Sequence, residues 1–345
     1  MSAEPSPAGA PLLADIAQRW QAADRLLPAP DGLPPALDGL PPASPVPESD
    51  SQCRAVFTVP GEDGRPSAVG ACEHWHGDLE SLELTWGAAR RFQLTARVGG
   101  PDVGAALDGL LQSWRVHLAD LPGVDDPDSA AVVMWPSRDI DGIHALLGHG
   151  LAPRSVVAAR LASRQLDDSG NPARCADGAP AAPGFDVRRA GRQDADAVVR
   201  LGLAVIRFDA HFGGVVERPS TASALRAEML TLLAEPEPWI WLASRDGKPA
   251  GVLIGEPPPV QWIAPLCGVA PVAYNMLTFV SPADRGSGMA QALVRSFHDA
   301  ADAAGVPATL LHYENANALS APFWARHGYR PLWTSWEARP ACTMR

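Results

Sequence analysis

The stretch Leu277-Thr278-Phe279-Val280-Ser281-Pro282-Ala283-Asp284-Arg285-Gly286-Ser287-Gly288-Met289-Ala290 decides how this chain is read. An apolar run, Leu277 to Val280, meets the turn signal Ser281-Pro282, and two glycines then open a helical pattern from Gln291 to Phe297. A strand feeding a glycine-studded turn and then a helix is an anion-binding device. The first N–H groups of a helix have no intrahelical acceptor, and their partial positive charge favours a phosphate by roughly 0.3 to 2 kcal/mol. Glycine lets that phosphate approach the backbone closely.

Outward from this segment the pattern continues in both directions. Downstream, Ala308 to His312 predicts a strand, 317–327 a helix and Leu332 to Glu337 a final strand. Upstream, Trp239 to Ser244 and Ala250 to Ile254 flank Asp246-Gly247, a hairpin signature. Before it come a short strand at Phe185 to Arg188, a helix from Gln193 to Phe208 carrying Val198, Leu201 and Val205, and another helix beginning at Ser220. With the strand at Tyr274 to Val280 and the helix at 288–304, this order describes an α/β unit: a mixed, mostly antiparallel sheet flanked by helices.

The first half repeats part of that order. Ala55 to Val59 and Ala68 to His74 read as strands around the turn Gly61 to Gly64, and Ser81 to Trp86 and Phe92 to Val98 as two more. A helix follows at Val103 to Ala119, a strand at Ala130 to Trp135, a helix at Ile140 to Gly148 and a strand at Ser155 to Leu161. Asp139, Leu146, Gly150, Leu151 and Pro153 match Asn317, Trp324, Gly328, Tyr329 and Pro331 at a constant offset of 178. That register supports an ancestral duplication. The expected division is an N-terminal helix (Leu12 to Leu27) and Pro-rich connector over 1–52, a first copy over 53–164, a linker over 165–184 and a second copy over 185–345.

Composition narrows the function classes. At 345 residues, with 46% hydrophobic residues and 11 tryptophans, the chain has material for about two packed domains. Its net charge of -11 is lodged in residues 1–183, which hold 13 basic and 24 acidic residues; the remainder holds 15 of each (28 − 13 and 39 − 24). A nucleic-acid partner is therefore not expected, because phosphate-backbone affinity needs a basic surplus. The five cysteines, at 53, 72, 175, 267 and 342, form no C-x-x-C pair, so no structural metal site and no disulfide scaffold are expected. The absence of a leader-like N-terminus and of a long apolar run leads to the expectation of a cytoplasmic protein without membrane contact, as monomer or homodimer.

The residues from 185 to 340 resemble the GNAT (Gcn5-related N-acetyltransferase) superfamily, with the region from about 53 to 162 similar to a degenerate copy. Two motifs carry the resemblance: the loop Arg285-Gly286-Ser287-Gly288-Met289-Ala290 behind its strand, and the last strand, helix and strand with Leu310, Asn317, Ser320, Phe323, Trp324, Gly328 and Tyr329. A Rossmann reading of Gly286-x-Gly288 fails because the third glycine and the surrounding βαβ order are missing.

The resemblance implies the acyl-CoA N-acyltransferase fold and direct transfer of an acetyl group from acetyl-CoA to a small-molecule amine. It implies that the backbone from Arg285 to Ala290 holds the pyrophosphate, with Arg285 shaping the loop, and that Phe279, Val280, Asn317, Phe323 and Trp324 lie along the cofactor arm. Asn317 reads equally well as a helix cap. Trp324 stands where the family commonly has a tyrosine acid, and an indole N–H has no usable proton to give. Tyr313 is the candidate replacement acid, and His312 and Glu314, on the opposite strand face, are candidate bases. Arg207, Asp209 and His211 are expected to line the acceptor site. A rival reading is an acyl-CoA-binding protein with little or no transferase activity.

Overall fold

A computed structural model describes residues 10–32, 55–162 and 184–345. Most of the Pro-rich connector and all of the linker 165–184 but Gly184 lie outside the described residues. Along the chain the helix α1 (Ala10–Ala23) precedes the strands β1 (Ala55–Pro60), β2 (Pro66–His76) and β3 (Arg90–Val98). The helix α2 (Val103–Ala119), strand β4 (Ser129–Pro136), short helix α3 (Ile143–Gly148) and strand β5 (Ala152–Leu161) complete the first half. The second half runs β6 (Asp186–Arg189), α4 (Ala195–Asp209), α5 (Thr221–Leu232), β7 (Ile240–Arg245), β8 (Lys248–Glu256) and β9 (Val272–Val280). It ends with α6 (Met289–Ala303), β10 (Ala308–Glu314), α7 (Ser320–Arg326) and β11 (Arg330–Ala338).

Compactness divides the chain otherwise than along its order. One unit takes the chain up to Asp78, then Ala88–Val156 and Pro331–Arg345; the other takes Leu79–Gly87 and Val157–Arg330. In the first unit the strands lie in the order β1-β2-β3-β4-β11, parallel between β3 and β4 and antiparallel elsewhere. Helix α2 starts at Asp102, whose carboxylate accepts from Ala105 N–H at 2.8 Å. Its Leu107, Leu110, Leu111 and Trp114, all fully buried, pack with Phe92 and Leu94 of β3. Each such leucine contributes about 1.5–3 kcal/mol by leaving water.

In the second unit β7, β8 and β9 form an antiparallel run, with β6 on its edge and β10 parallel to β9. The β7–β8 turn places Asp246 at φ 50° and Gly247 at φ 72°, the left-handed pair that a two-residue hairpin of this type demands. One sheet face buries Leu293 and Phe297 of α6 with Trp241 and Leu253. The other buries Val198, Leu201 and Val205 of α4 and Leu225 and Met229 of α5 with Leu242, Ile254 and Leu277. In both units an antiparallel run is followed by a parallel pair, β3–β4 in the first and β9–β10 here.

The segments matched at an offset of 178 share single hydrogen bonds. Leu151 N–H reaches Leu146 O at 3.0 Å, and Tyr329 N–H reaches Trp324 O at 3.0 Å. Gly150 and Gly328 take φ of 78° and 82° at the matching helix ends, where a side chain would be strained. β5 begins at Ala152 and β11 at Arg330, again 178 apart (330 − 152).

One sequence expectation is corrected. Ser81 to Trp86 alternates like a strand but forms a 3-10 helix at Leu82–Trp86, because the Ser81 hydroxyl caps Glu83 N–H at 3.0 Å. This segment belongs to the second unit, against the chain before α5. Val216 N–H donates to Thr85 O at 2.8 Å, and Arg218 donates to Leu84 O at 3.1 Å and Gly87 O at 3.0 Å.

Candidate active site

The glycine loop is held open from both ends. Asp284, just before it, is clamped by Arg245 at 2.6 Å, and the Ser287 hydroxyl donates to Asp284 O at 2.6 Å. Gly286 and Gly288 take φ of 77° and 85°, and among the described residues a Cβ at either would meet nothing within 4 Å. The first bond of the following helix is Ala292 N–H to Gly288 O at 3.0 Å. The N–H groups of Met289, Ala290 and Gln291 therefore have no intrahelical acceptor. Arg285 turns back: its Nε lies 3.5 Å from Val280 O and its guanidinium sits over the Phe208 ring at 4.9 Å.

Strand β9 changes partners next to this loop. Its parallel pairing with β10 covers only Val272–Asn275 against Ala308–Leu311. The β8 ladder slips between Ile254 and Gly255, leaving Met276 as a bulged residue between Asn275 and Leu277. A bulge bends and twists its strand, and the Asn275 and Thr278 side chains brace it at 3.0 and 3.1 Å. From Met276 to Val280 the ladder with β10 does not continue among the described residues, and Phe279 and Val280 lie on that length.

The C-terminal end of α4 connects the loop with the end of β10. Phe208 supports Arg285, while the next residue, Asp209, accepts from Asn317 Nδ2 at 3.2 Å. Asn317 is buried, and its Oδ1 accepts from Leu319 N–H at 3.1 Å, so its side chain shapes the turn into α7 as well as holding Asp209. Burial raises the Asp209 pKa to about 6, against the lowering effect of the Asn317 bond. Its place at the negative end of a helix acts in the raising direction too.

Glu314 is buried in the same corner. Its carboxylate lies so close to Gly214 that a Cβ there would come 2.2 Å from Oε1 and 2.3 Å from Oε2. Gly214→Ala is therefore expected to expel the carboxylate and cost about 2–4 kcal/mol, read as a lower urea midpoint. Gly214→Ala with Glu314→Gln, a neutral and more easily displaced partner, should recover part of the loss; equal midpoints for wild type and the single variant would refute the close contact.

His312 lies two residues before Glu314 in a different setting. Its Nδ1 and the Tyr274 hydroxyl are 2.9 Å apart, and Trp262 stacks on its ring at 6.0 Å with an interplanar angle of 13°. His312 keeps an exposed face, yet this packing desolvates the ring and lowers its pKa below the ordinary 6.5, a fall that the exposed face moderates. Trp262, 56% exposed, donates from its indole to Glu256 at 3.1 Å, and burial holds the Glu256 carboxyl above its usual range.

Tyr313 points the other way, with Phe323, toward the α6 side of the sheet. Burial raises its pKa, so it keeps its proton at neutral pH. Trp324 is buried with its ring edge against Tyr329, and the Tyr329 hydroxyl bonds His298 at 3.1 Å and Thr309 at 3.0 Å. Of the residues expected at the acceptor site, Arg207 pairs with Glu217 at 2.9 Å and His211 donates from Nδ1 to Arg207 O at 2.8 Å, both on the exposed side of the helix end.

Sequence reasoning missed Glu256, Trp262, Tyr274 and Gly214. The pair Gly213-Gly214 after a helix end was the one local signal for a close approach. The aromatic cluster had none, because its members come from three strands and a loop.

A bulged strand thus leaves its parallel neighbour beside a glycine loop that opens a helix. Residues 208–329 match the model of the acetyltransferase (GNAT) family. No curated protein matches it in sequence. A GCN5-related N-acetyltransferase from Sphaerobacter thermophilus has the same fold at 15% identity, with a TM-score of 0.51 over 83% of this chain and 80% of that one. A GNAT-family acetyltransferase from Colwellia psychrerythraea is similar at 13% identity over 82% and 84%, TM-score 0.46. A tandem GNAT protein from the clavulanic acid biosynthesis pathway is similar at 16% identity over 97% of both chains, TM-score 0.42.

Proposed function

We propose that the protein is an acetyl-CoA-dependent N-acetyltransferase that moves the acetyl group directly to a small cationic amine. The observation that carries this reading is the β9 edge from Met276 to Val280, where the ladder with β10 does not continue, leading to the glycine loop at 285–290. The cosubstrate fits there: the positive-φ glycines leave open space, the first α6 N–H groups suit a pyrophosphate, and that strand edge suits the amides of the pantetheine arm. When bound, acetyl-CoA supplies a thioester carbonyl open to attack. Main-chain N–H groups at the bulge would hold its oxygen.

Asp209, with a pKa near 6, is matched to take the proton of an attacking amine close to neutral pH. Tyr313, protonated and on the opposite sheet face, would give a proton to the departing thiolate; a thiol pKa near 8.5 makes that help modest. Glu314 would position the turn at Gly214, and Glu256, His312 and Trp262 would receive the ammonium and apolar parts of the acceptor.

A thiol-release assay with acetyl-CoA over a panel of small amines tests this reading. Turnover with cationic amines is expected, and Tyr313→Phe should lower kcat about tenfold with KM for acetyl-CoA unchanged. Acetyl-CoA binding without turnover of any amine would favour the non-catalytic binder, and an unchanged kcat in Tyr313→Phe would remove its role as acid.

A further inference from the structure

The first unit contains a cluster that the acetyl-transfer site does not use. Cys72 and His74 occupy alternate positions of β2, paired with Leu94 and Phe92 of β3, so both point to one sheet face. His117, in the last turn of α2, comes down on the same face. One ligand atom from each residue lies within 4.8 Å of the other two.

The polar chemistry inside this cluster is incomplete. His74 Nε2 and His117 Nε2 are both buried, and neither has a hydrogen-bond partner among the described residues. Around them stand aromatic rings: Phe92 edge-on to His74 at 4.7 Å and Phe57 edge-on to His117 at 5.5 Å. Burying an imidazole nitrogen without a partner is unfavourable, and two facing each other beside a fully buried cysteine are a pattern that a shared ligand resolves. The Trp114 indole donates to Cys72 Sγ at 3.1 Å, a contact that favours the thiolate over the thiol.

We propose that Cys72, His74 and His117 bind one thiophilic divalent cation of the zinc class, as a structural pin between β2 and α2. One thiolate and two imidazoles are a borderline-soft donor set suited to zinc. Bond lengths of 2.0–2.3 Å in a tetrahedral arrangement require ligand separations of roughly 3.3–3.8 Å, so from 4.8 Å or less the side chains close in by about 1.5 Å at most. Arg90 is the cation facing His74, and its charge opposes metal entry; the Cys72 thiolate offsets it. With Cys72 fully buried, the ion would be enclosed rather than offered to a substrate. The site was not legible as a motif, because Cys-x-His on a strand meets its third ligand more than forty positions later.

The test uses the full-length, tag-free protein, stripped with a chelator and titrated with Co²⁺ and then Zn²⁺. A thiolate-to-cobalt charge-transfer band saturating at one equivalent, and bleached by Zn²⁺, is expected. Zn²⁺ should raise the Tm of the stripped protein by about 5 °C or more. Cys72→Ser should lose the band, and His117→Ala should weaken binding about 100-fold. Metal uptake without a thiolate band, or equal uptake by wild type and Cys72→Ser, overturns the proposal. The wild-type spectrum decides even where a variant fails to fold.

Discussion

Asp209→Asn should slow turnover by about 10²- to 10⁴-fold and at the same time make the protein more stable at pH 7. Both effects come from one desolvated carboxyl. Its folded pKa of about 6 lies above the ordinary 3.8, so the folded protein binds this proton more tightly than the unfolded chain does. The stabilising contribution is complete below about pH 4 and is lost as the pH rises through about 6. At pH 7 the ionised carboxylate then costs the fold roughly 1–3 kcal/mol, a cost that the neutral amide avoids while still pairing with Asn317. Urea titrations at pH 4 and pH 7 should therefore show the variant gaining stability only at the higher pH. In wild type kcat should rise with pH through an apparent pKa near 6, and this limb should vanish in the variant. A variant with wild-type kcat and an unaltered pH profile would remove Asp209 from proton transfer, whatever its stability.

Gly288→Val should raise the Kd for acetyl-CoA by about 100-fold or more with only a modest loss of stability. At φ 85° a β-branched residue costs about 1–2 kcal/mol of backbone strain, yet a Cβ there meets no described atom within 4 Å. The protein should therefore fold, with the new methyl groups in the space proposed for the pyrophosphate. Gly247→Val is the matching control, since it carries similar strain at φ 72° in the β7–β8 hairpin, with the same open surroundings. Calorimetric titration should show the control binding like wild type. Equal Kd values for wild type and Gly288→Val would sink the phosphate-loop assignment.

These two residues differ in how they could be found. Gly288 announces itself locally: a glycine between an apolar strand and a helical pattern has few structural uses, and φ of 85° is the conformation such a turn needs. Asp209 was nameable as a residue at a helix end, but its raised pKa depends on burial and on Asn317, 108 residues away. The helix α2 was legible from the spacing of Leu107, Leu110, Leu111 and Trp114, and the β7–β8 hairpin from Asp246-Gly247. Ser81 to Trp86 misled because alternation cannot distinguish an edge strand from a capped 3-10 turn that buries Leu84. The bulge at Met276 left no trace in composition, since it is a mismatch between two ladders.

Most of the element order, the glycine loop and a spacing repeated at an offset of 178 were legible in the sequence, because each rests on short-range periodicity, turn chemistry or repeated spacing. Only the tertiary structure decided that β11 closes the first unit beside β4 and that Leu79–Gly87 joins the second. It alone opened the β9 edge and gathered Cys72, His74 and His117. These features depend on which ladder a strand joins and which groups lose water together, and both are set by residues far apart in the chain.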